Sequence, residues 1–115
     1  MPPRPEGGVS AAGGDPGKPG LKPVRLSKTA TADIRSIGND IAIDKPRAAE
    51  AFVEQIIQRC HSIADAPEGY GLRSAFGTGV RGVAIRPYVI LYRVREKDIL
   101  ILGVRHGARR PTPFR

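Results

Sequence analysis

The sequence predicts an α+β domain: an N-terminal strand, then an antiparallel helical hairpin packed on a mainly antiparallel four-stranded sheet. Three observations carry this prediction. Apolar residues recur at helical spacing in two consecutive stretches between residues 28 and 64. Three β-branched, apolar runs separated by short turn signals fill residues 80–106. The whole chain is 115 residues long, which suits one small domain with a modest core.

Residues 1–23 hold six Pro and six Gly, with Val9 and Leu21 as their only large aliphatics. Such a segment buries too little surface to offset its ordering entropy and is expected to be a disordered tail. Order is expected from residue 24 to residue 110, followed by a short C-terminal tail over residues 111–115. The run "VRL" from Val24 reads as a strand, and Ser27 is placed to cap a helix. Ala30, Ile34, Ile37 and Ile41 then share a helical face, with Gly38 weakening that helix by about 1 kcal/mol relative to alanine. "IDKP" interrupts it. Pro46 is acceptable in the first turn of a second helix, and Asp44 is the expected cap there. Ala49, Phe52, Val53, Ile56, Cys60, Ile63 and Ala64 form the apolar stripe of that helix, which Pro67 and Gly69 end. The short link makes the two helices an antiparallel hairpin. "PEGYGLRSAFGTG" reads as a loop from its glycines.

Strands are expected over residues 80–86, 88–95 and 98–106, with Pro87 and "REKD" as the turns. If Arg95 faces Asp98, then Tyr92 faces Ile101 and Ile90 faces Gly103. One face of the last hairpin then carries Tyr88, Ile90, Tyr92, Val94, Ile99 and Ile101. The other carries Val89, Leu91, Leu100, Leu102 and Val104, with Arg93 and His106. Antiparallel sheets open to water on one side normally alternate apolar and polar residues, and here both faces are apolar. A partner is the expected cover of the second face; the alternatives are that the helices straddle the sheet or that "RPTPF" folds back over it.

The charge is unevenly spread. Residues 73–115 carry ten Lys/Arg against Glu96 and Asp98, which accounts for the whole formal charge of +8. This asymmetry points to an acidic partner, nucleic acid or protein, or else to a solvated basic surface. Cys60 is the only cysteine, which excludes an intramolecular disulfide and a cysteine zinc cluster and favours the cytoplasm. No apolar run approaches the roughly 18 residues of a membrane span, and no secretory h-region opens the chain. His61 lacks a second strong ligand at metal spacing, and "GTGVRG" precedes no helix, so neither a metal nor a phosphate loop is expected. No cofactor is expected either.

Six pieces together carry a resemblance: "LSKTATADIRSI", "PRAAEAFVEQI", Ala66 with Pro67, Arg81, "YVILYRV" and "VRHGARR". In that order they resemble the ParE branch of the RelE/ParE toxin superfamily, the toxins of plasmid-stabilising toxin–antitoxin modules. Arg110 stands where that family usually has an acid, and residues 1–20 have no counterpart, which implies a start near Leu21 or Val24. The resemblance implies a type II toxin that halts growth by binding and poisoning DNA gyrase. It also implies a cognate ParD-like antitoxin, acidic in its toxin-binding part, joined with the toxin in a hetero-oligomer. Arg105, His106, Arg109 and Arg110, at the target-facing end of the last strand, are the expected target contacts. Val89, Leu91, Leu100, Leu102 and Val104 are the expected antitoxin contacts.

The superfamily's other activity, ribosome-dependent mRNA cleavage of the RelE type, is the alternative, and an inactive antitoxin-binding module is a third reading. Cleavage at a 2′-OH needs a base, cations around the phosphorane and a donor to the leaving oxygen. His106, Arg93 and Arg81 are the residues that could supply these groups. Tyr88 and Tyr92 read as core instead, and Arg81 could equally pair with Asp33 or Asp40 of the hairpin.

Overall fold

The chain enters the sheet at Val24–Leu26 (β1) and forms two helices, Lys28–Ala42 (α1) and Pro46–Ser62 (α2). It returns as three strands, Arg81–Ile85 (β2), Tyr88–Val94 (β3) and Ile99–His106 (β4). This computed structural model describes residues 21–114; the tail expected over residues 1–20 lies outside the described residues, as does Arg115. The sheet order is β1-β4-β3-β2, with β1 parallel to β4 and the other pairs antiparallel. The expected α+β architecture is the one observed.

Ser27 caps α1 as its position predicts. Its hydroxyl accepts from the Ala30 N–H at 3.0 Å and donates to the Leu102 carbonyl at 3.0 Å, so one side chain ends a helix and ties it to β4. Gly38 has a packing role beyond its helix cost: a Cβ there would lie 3.0 Å from Val53, so the missing side chain lets α1 and α2 approach. Pro46 occupies the first turn of α2, but Asp44 does not cap it. Lys45 is the cap residue, one position closer to Pro46 than Asp44, and makes no side-chain cap bond. Ala30, Ile34 and Ile37 of α1 and Ile56, Cys60 and Ile63 at and beyond α2 bury their side chains against Val83, Ile85, Ile90, Tyr92, Ile99, Ile101 and Val104. Each fully buried Ile contributes about 1.5–3 kcal/mol.

The register differs from the simple hairpin at one place. Tyr92 faces Ile101 as expected, but Leu91 faces Gly103, and Ile90 faces Val104 rather than Gly103. Leu102 is therefore an extra residue, a β-bulge that shifts the alternation downstream. Val104 thereby moves to the helix-covered core. His106 faces Tyr88, with ring centroids 5.3 Å apart, instead of sharing a face with Arg93.

A long-range contact holds the bulge. β1 accompanies β4 only as far as Ile101, so the next residues of β4 have a free edge. Ser27 covers part of it, and the Asp33 carboxylate of α1 accepts from the Val104 N–H at 3.0 Å. A Cβ at position 103 would sit 2.9 Å from that carboxylate, so any side chain there must push Asp33 aside.

The second sheet face is sealed by the chain itself. Phe76, Val80, Val89, Leu91 and Leu102 are buried together, with Leu100 and Phe114 packed against them. Phe76 comes from the loop before β2, and Phe114 from the C-terminal segment, whose N–H donates to the Phe76 carbonyl at 2.7 Å. The expectation of an open apolar face awaiting a partner is corrected here: the folded-back tail covers it.

At the opposite end, Asp98 closes the β3–β4 turn. It accepts two 2.6 Å hydrogen bonds from Arg95 and lies 3.3 Å from the Arg25 guanidinium. The Arg95 hydrogen bonds, more than the nearby Arg25 and Lys22 charges, hold its carboxyl below the usual carboxylate range. Stability from a lowered carboxyl is complete above the unfolded value of about 3.9 and is lost as pH falls below it. Urea midpoints measured near pH 6 and near pH 3 should thus fall further for wild type than for Asp98→Asn, which starts lower but has no carboxyl at that position to protonate.

Candidate functional site

Four cationic or imidazole side chains gather where β4 ends. The bulge sets their directions: Arg105 faces Val89 across the ladder and His106 faces Tyr88. Beyond them the chain turns tightly. The Gly107 N–H donates to the Pro87 carbonyl at 2.8 Å, the Ala108 N–H to His106 Nδ1 at 3.1 Å, and the Arg109 N–H to the His106 carbonyl at 3.1 Å. His106 is thus the pin of a turn that presents Arg109 and Arg110 to solvent. With Nδ1 accepting, the neutral ring carries its proton on Nε2.

These residues line one cleft of about 300 Å³. Arg105, His106, Arg109 and Arg110 form one wall, Asp33, Ser36 and Asp40 of α1 the other, and Phe76 and Tyr88 contribute apolar surface. Arg105 is the one engaged on both sides. Its Nε lies 3.6 Å from Asp33, and its guanidinium carbon sits 4.5 Å from the centre of the Phe114 ring. The expected target contacts are therefore assembled in one place.

The possible ribonuclease trio is not. Arg81 faces Tyr92 and His106 faces Tyr88, four residues apart on β3, or about 13 Å along the strand. Arg81 donates to the Glu68 and Tyr70 carbonyls, the latter at 2.7 Å, rather than pairing with Asp33 or Asp40. Arg93 lies on the other face, donating to the Thr78 and Phe114 carbonyls. Its neighbours make it a brace for the loop and the C-terminal segment. His106 Nδ1 is engaged, so the imidazole atom that could take a proton is already accepting one hydrogen bond. Tyr92 is fully buried, and burial pushes its hydroxyl up to about 12 despite the nearby Arg81 charge. Cys60 is likewise buried, and its thiol is pushed up to about 12 by desolvation, which makes it inert at neutral pH. Among the described residues no cluster of three or more His, Cys, Asp or Glu could hold a metal, and no helix is long and apolar enough to cross a membrane.

The expected antitoxin contacts are placed differently from one another. Val89, Leu91 and Leu102 are buried beneath the chain's own Phe76 and Phe114, and Leu100 is half-buried beside them. Val104 belongs to the helix side, since the bulge turned it over. Sequence reasoning missed Asp33 as part of the site. Its one signal was a position beside the α1 stripe; the register of α1 against β4 is not written locally.

The family described as "ParE toxin of type II toxin-antitoxin system, parDE" matches residues 24–111. Among solved structures, a chain of the chromosomal ParDE toxin–antitoxin system from P. aeruginosa superposes with a TM-score of 0.67 at 21% identity, covering 75% of this chain and 96% of that one. A chain of the RelBE2 toxin–antitoxin complex from Mycobacterium tuberculosis superposes with a TM-score of 0.55 at 24% identity, covering 80% of this chain and 98% of that one. No curated protein sequence matches. The structural likenesses bear on the fold, and the family match on what the chain is.

Proposed function

This chain belongs to the ParE toxin family of type II toxin–antitoxin systems, and from that premise we propose that it arrests growth by binding DNA gyrase through the basic end of β4. The single observation that supports this reading is the gathering of Arg105, His106, Arg109 and Arg110 along one cleft, with Arg81 and Arg93 held elsewhere by backbone carbonyls. Guanidinium groups offer forked donors to carboxylates and phosphates, so acidic gyrase surface or gyrase-held DNA is the counterpart. Binding alone is sufficient for such an inhibitor, and nothing in the cleft is required to move a proton.

The proposal includes a cognate antitoxin that neutralises the toxin in a hetero-oligomer, as the complexes of the structural neighbours illustrate for those proteins. Its toxin-binding part is acidic, to complement the +8 chain. The runner-up is mRNA cleavage on the ribosome.

Induced expression in growing bacteria tests the proposal. Wild type should arrest growth, and Arg105→Ala combined with Arg109→Ala should restore it, with at least a tenfold loss of potency for about 1.4 kcal/mol of lost contact energy. Circular dichroism of the purified variant should remain that of the folded protein. Equal killing by variant and wild type would place the site elsewhere.

A further inference from the structure

The arginines at the end of β4 are not held alike. Arg109 and Arg110 are exposed beyond the last ladder pair, and neither side chain has a partner among the described residues. Arg105 is supported on two sides, and its side chain is only 33% exposed. Its Nε lies 3.6 Å from Asp33, whose carboxylate is itself fixed by the Val104 N–H at 3.0 Å. Its guanidinium carbon stands 4.5 Å from the centre of the Phe114 ring, and Phe114 is fixed in turn by its own N–H on the Phe76 carbonyl. Both supports meet at Gly103, where a Cβ would lie 2.9 Å from Asp33 and 3.0 Å from the Phe114 ring. Among the described residues, no hydrogen bond occupies the Nη1 and Nη2 groups of Arg105.

We infer that Arg105 is the specificity-determining residue of this end, a pre-aimed fork that grips one carboxylate of a protein target, while Arg109 and Arg110 steer the approach. A guanidinium already fixed in plane and direction loses little freedom on binding, and its forked donors match a carboxylate through two parallel hydrogen bonds. Partly buried arginines of this kind carry binding energy, whereas exposed rim charges act chiefly on the association rate. Asp33 is a positioning residue: it touches no target and acts through Arg105. The same cleft decides between a protein carboxylate and a DNA phosphate. Asp33 and Asp40 both line it, and the Asp40 side chain has no partner among the described residues. A single carboxylate can sit at Arg105 with an uncharged or basic neighbour beside Asp40. DNA carries about one negative charge per 1.7 Å of helix axis and would bring further phosphates against those acids. The inference rests on the proposed gyrase reading for the identity of the protein.

Two measurements on the full chain test it. In NMR spectra of the free chain, the Arg105 Nε–H should exchange and reorient at least about tenfold more slowly than that of Arg109, and Asp33→Asn should bring it close to the Arg109 rate. If Asp33→Asn does not fold, the wild-type comparison answers alone; an Arg105 as mobile as Arg109 would overturn the inference. The second measurement follows binding to purified gyrase without DNA, at low and at high salt. Arg105→Lys keeps the charge and removes the fork, so dissociation should quicken about tenfold at both salt concentrations. Arg109→Ala with Arg110→Ala should instead slow association, by an amount that high salt largely erases. Wild-type dissociation from Arg105→Lys would overturn the inference and leave the gyrase reading standing. Binding that appears only when DNA is added would assign the fork to a phosphate and overturn the carboxylate. No binding with or without DNA would overturn the gyrase reading and this assignment with it.

Discussion

Tyr92→Ala is expected to leave the domain largely unfolded at physiological temperature, costing about 3–5 kcal/mol, by analogy with other large aromatic truncations. Tyr92 is the largest side chain fully removed from solvent, at the centre of the sheet's helix-covered face. It packs edge-on to Tyr70, and its hydroxyl donates to the Pro67 carbonyl at 2.5 Å. The residue therefore both fills the core and fastens the loop that follows α2. Tyr92→Phe separates the two roles. It keeps the ring and removes only the hydroxyl, so it should cost about 1–2 kcal/mol. Chemical denaturation of the two variants measures both. A loss for Tyr92→Ala no greater than for Tyr92→Phe would show that the ring does not organise the core.

Gly103→Val is the second large effect, at about 3 kcal/mol or more. Overpacking alone costs about 1–3 kcal/mol, and a buried donor left without its partner adds about 1–3 kcal/mol. Both arise here because a side chain at position 103 meets the Asp33 carboxylate at 2.9 Å and the Phe114 ring at 3.0 Å. Moving Asp33 strands the Val104 N–H and releases Arg105 from its ion pair. The variant should consequently lose stability and disorder the basic end together. Amide exchange at Val104 checks this: protection should fall there even under conditions where the remaining β3–β4 amides stay protected. If protection at Val104 survives, Asp33 is not what holds the bulge.

These two positions also show what was legible in the sequence. Tyr92 was readable as core, because the hairpin turn fixes the register up to Ile101 and puts Tyr92 on one face with Ile90, Ile99 and Ile101. The helical stripes and Ser27 were readable for the same local reason. Gly103 was not. The bulge at Leu102 depends on a carboxylate on α1 reaching a strand edge some 70 residues later, and no local pattern encodes that meeting. The consequences ran downstream from the bulge: Val104 exchanged faces, and His106 left Arg93 for Tyr88. The sealing of the second face was foreseeable only as an alternative, since it needs Phe114 to return across the sheet to Phe76. The gathering of Arg105, His106, Arg109 and Arg110 was legible, because residues so close in sequence at one strand end have little room to separate. What lies opposite them, Asp33 and Asp40, was not.

The sealed face changes the energetic picture of the molecule without removing the basic end from view. The folded-back segment covers the apolar strands of the second face, while Arg109 and Arg110 of the C-terminal turn stay exposed. Arg81 and His106 are four ladder positions apart, and Arg93 lies on the other face of the sheet.

The most direct measurement is a supercoiling reaction with purified gyrase and relaxed plasmid, run with the purified chain and with the Arg105→Ala, Arg109→Ala variant. Wild type should stop supercoiling in a dose-dependent way, and the variant should need at least about tenfold more protein. Full supercoiling in the presence of excess wild type, with cleavage of message in a translating extract instead, would contradict the account.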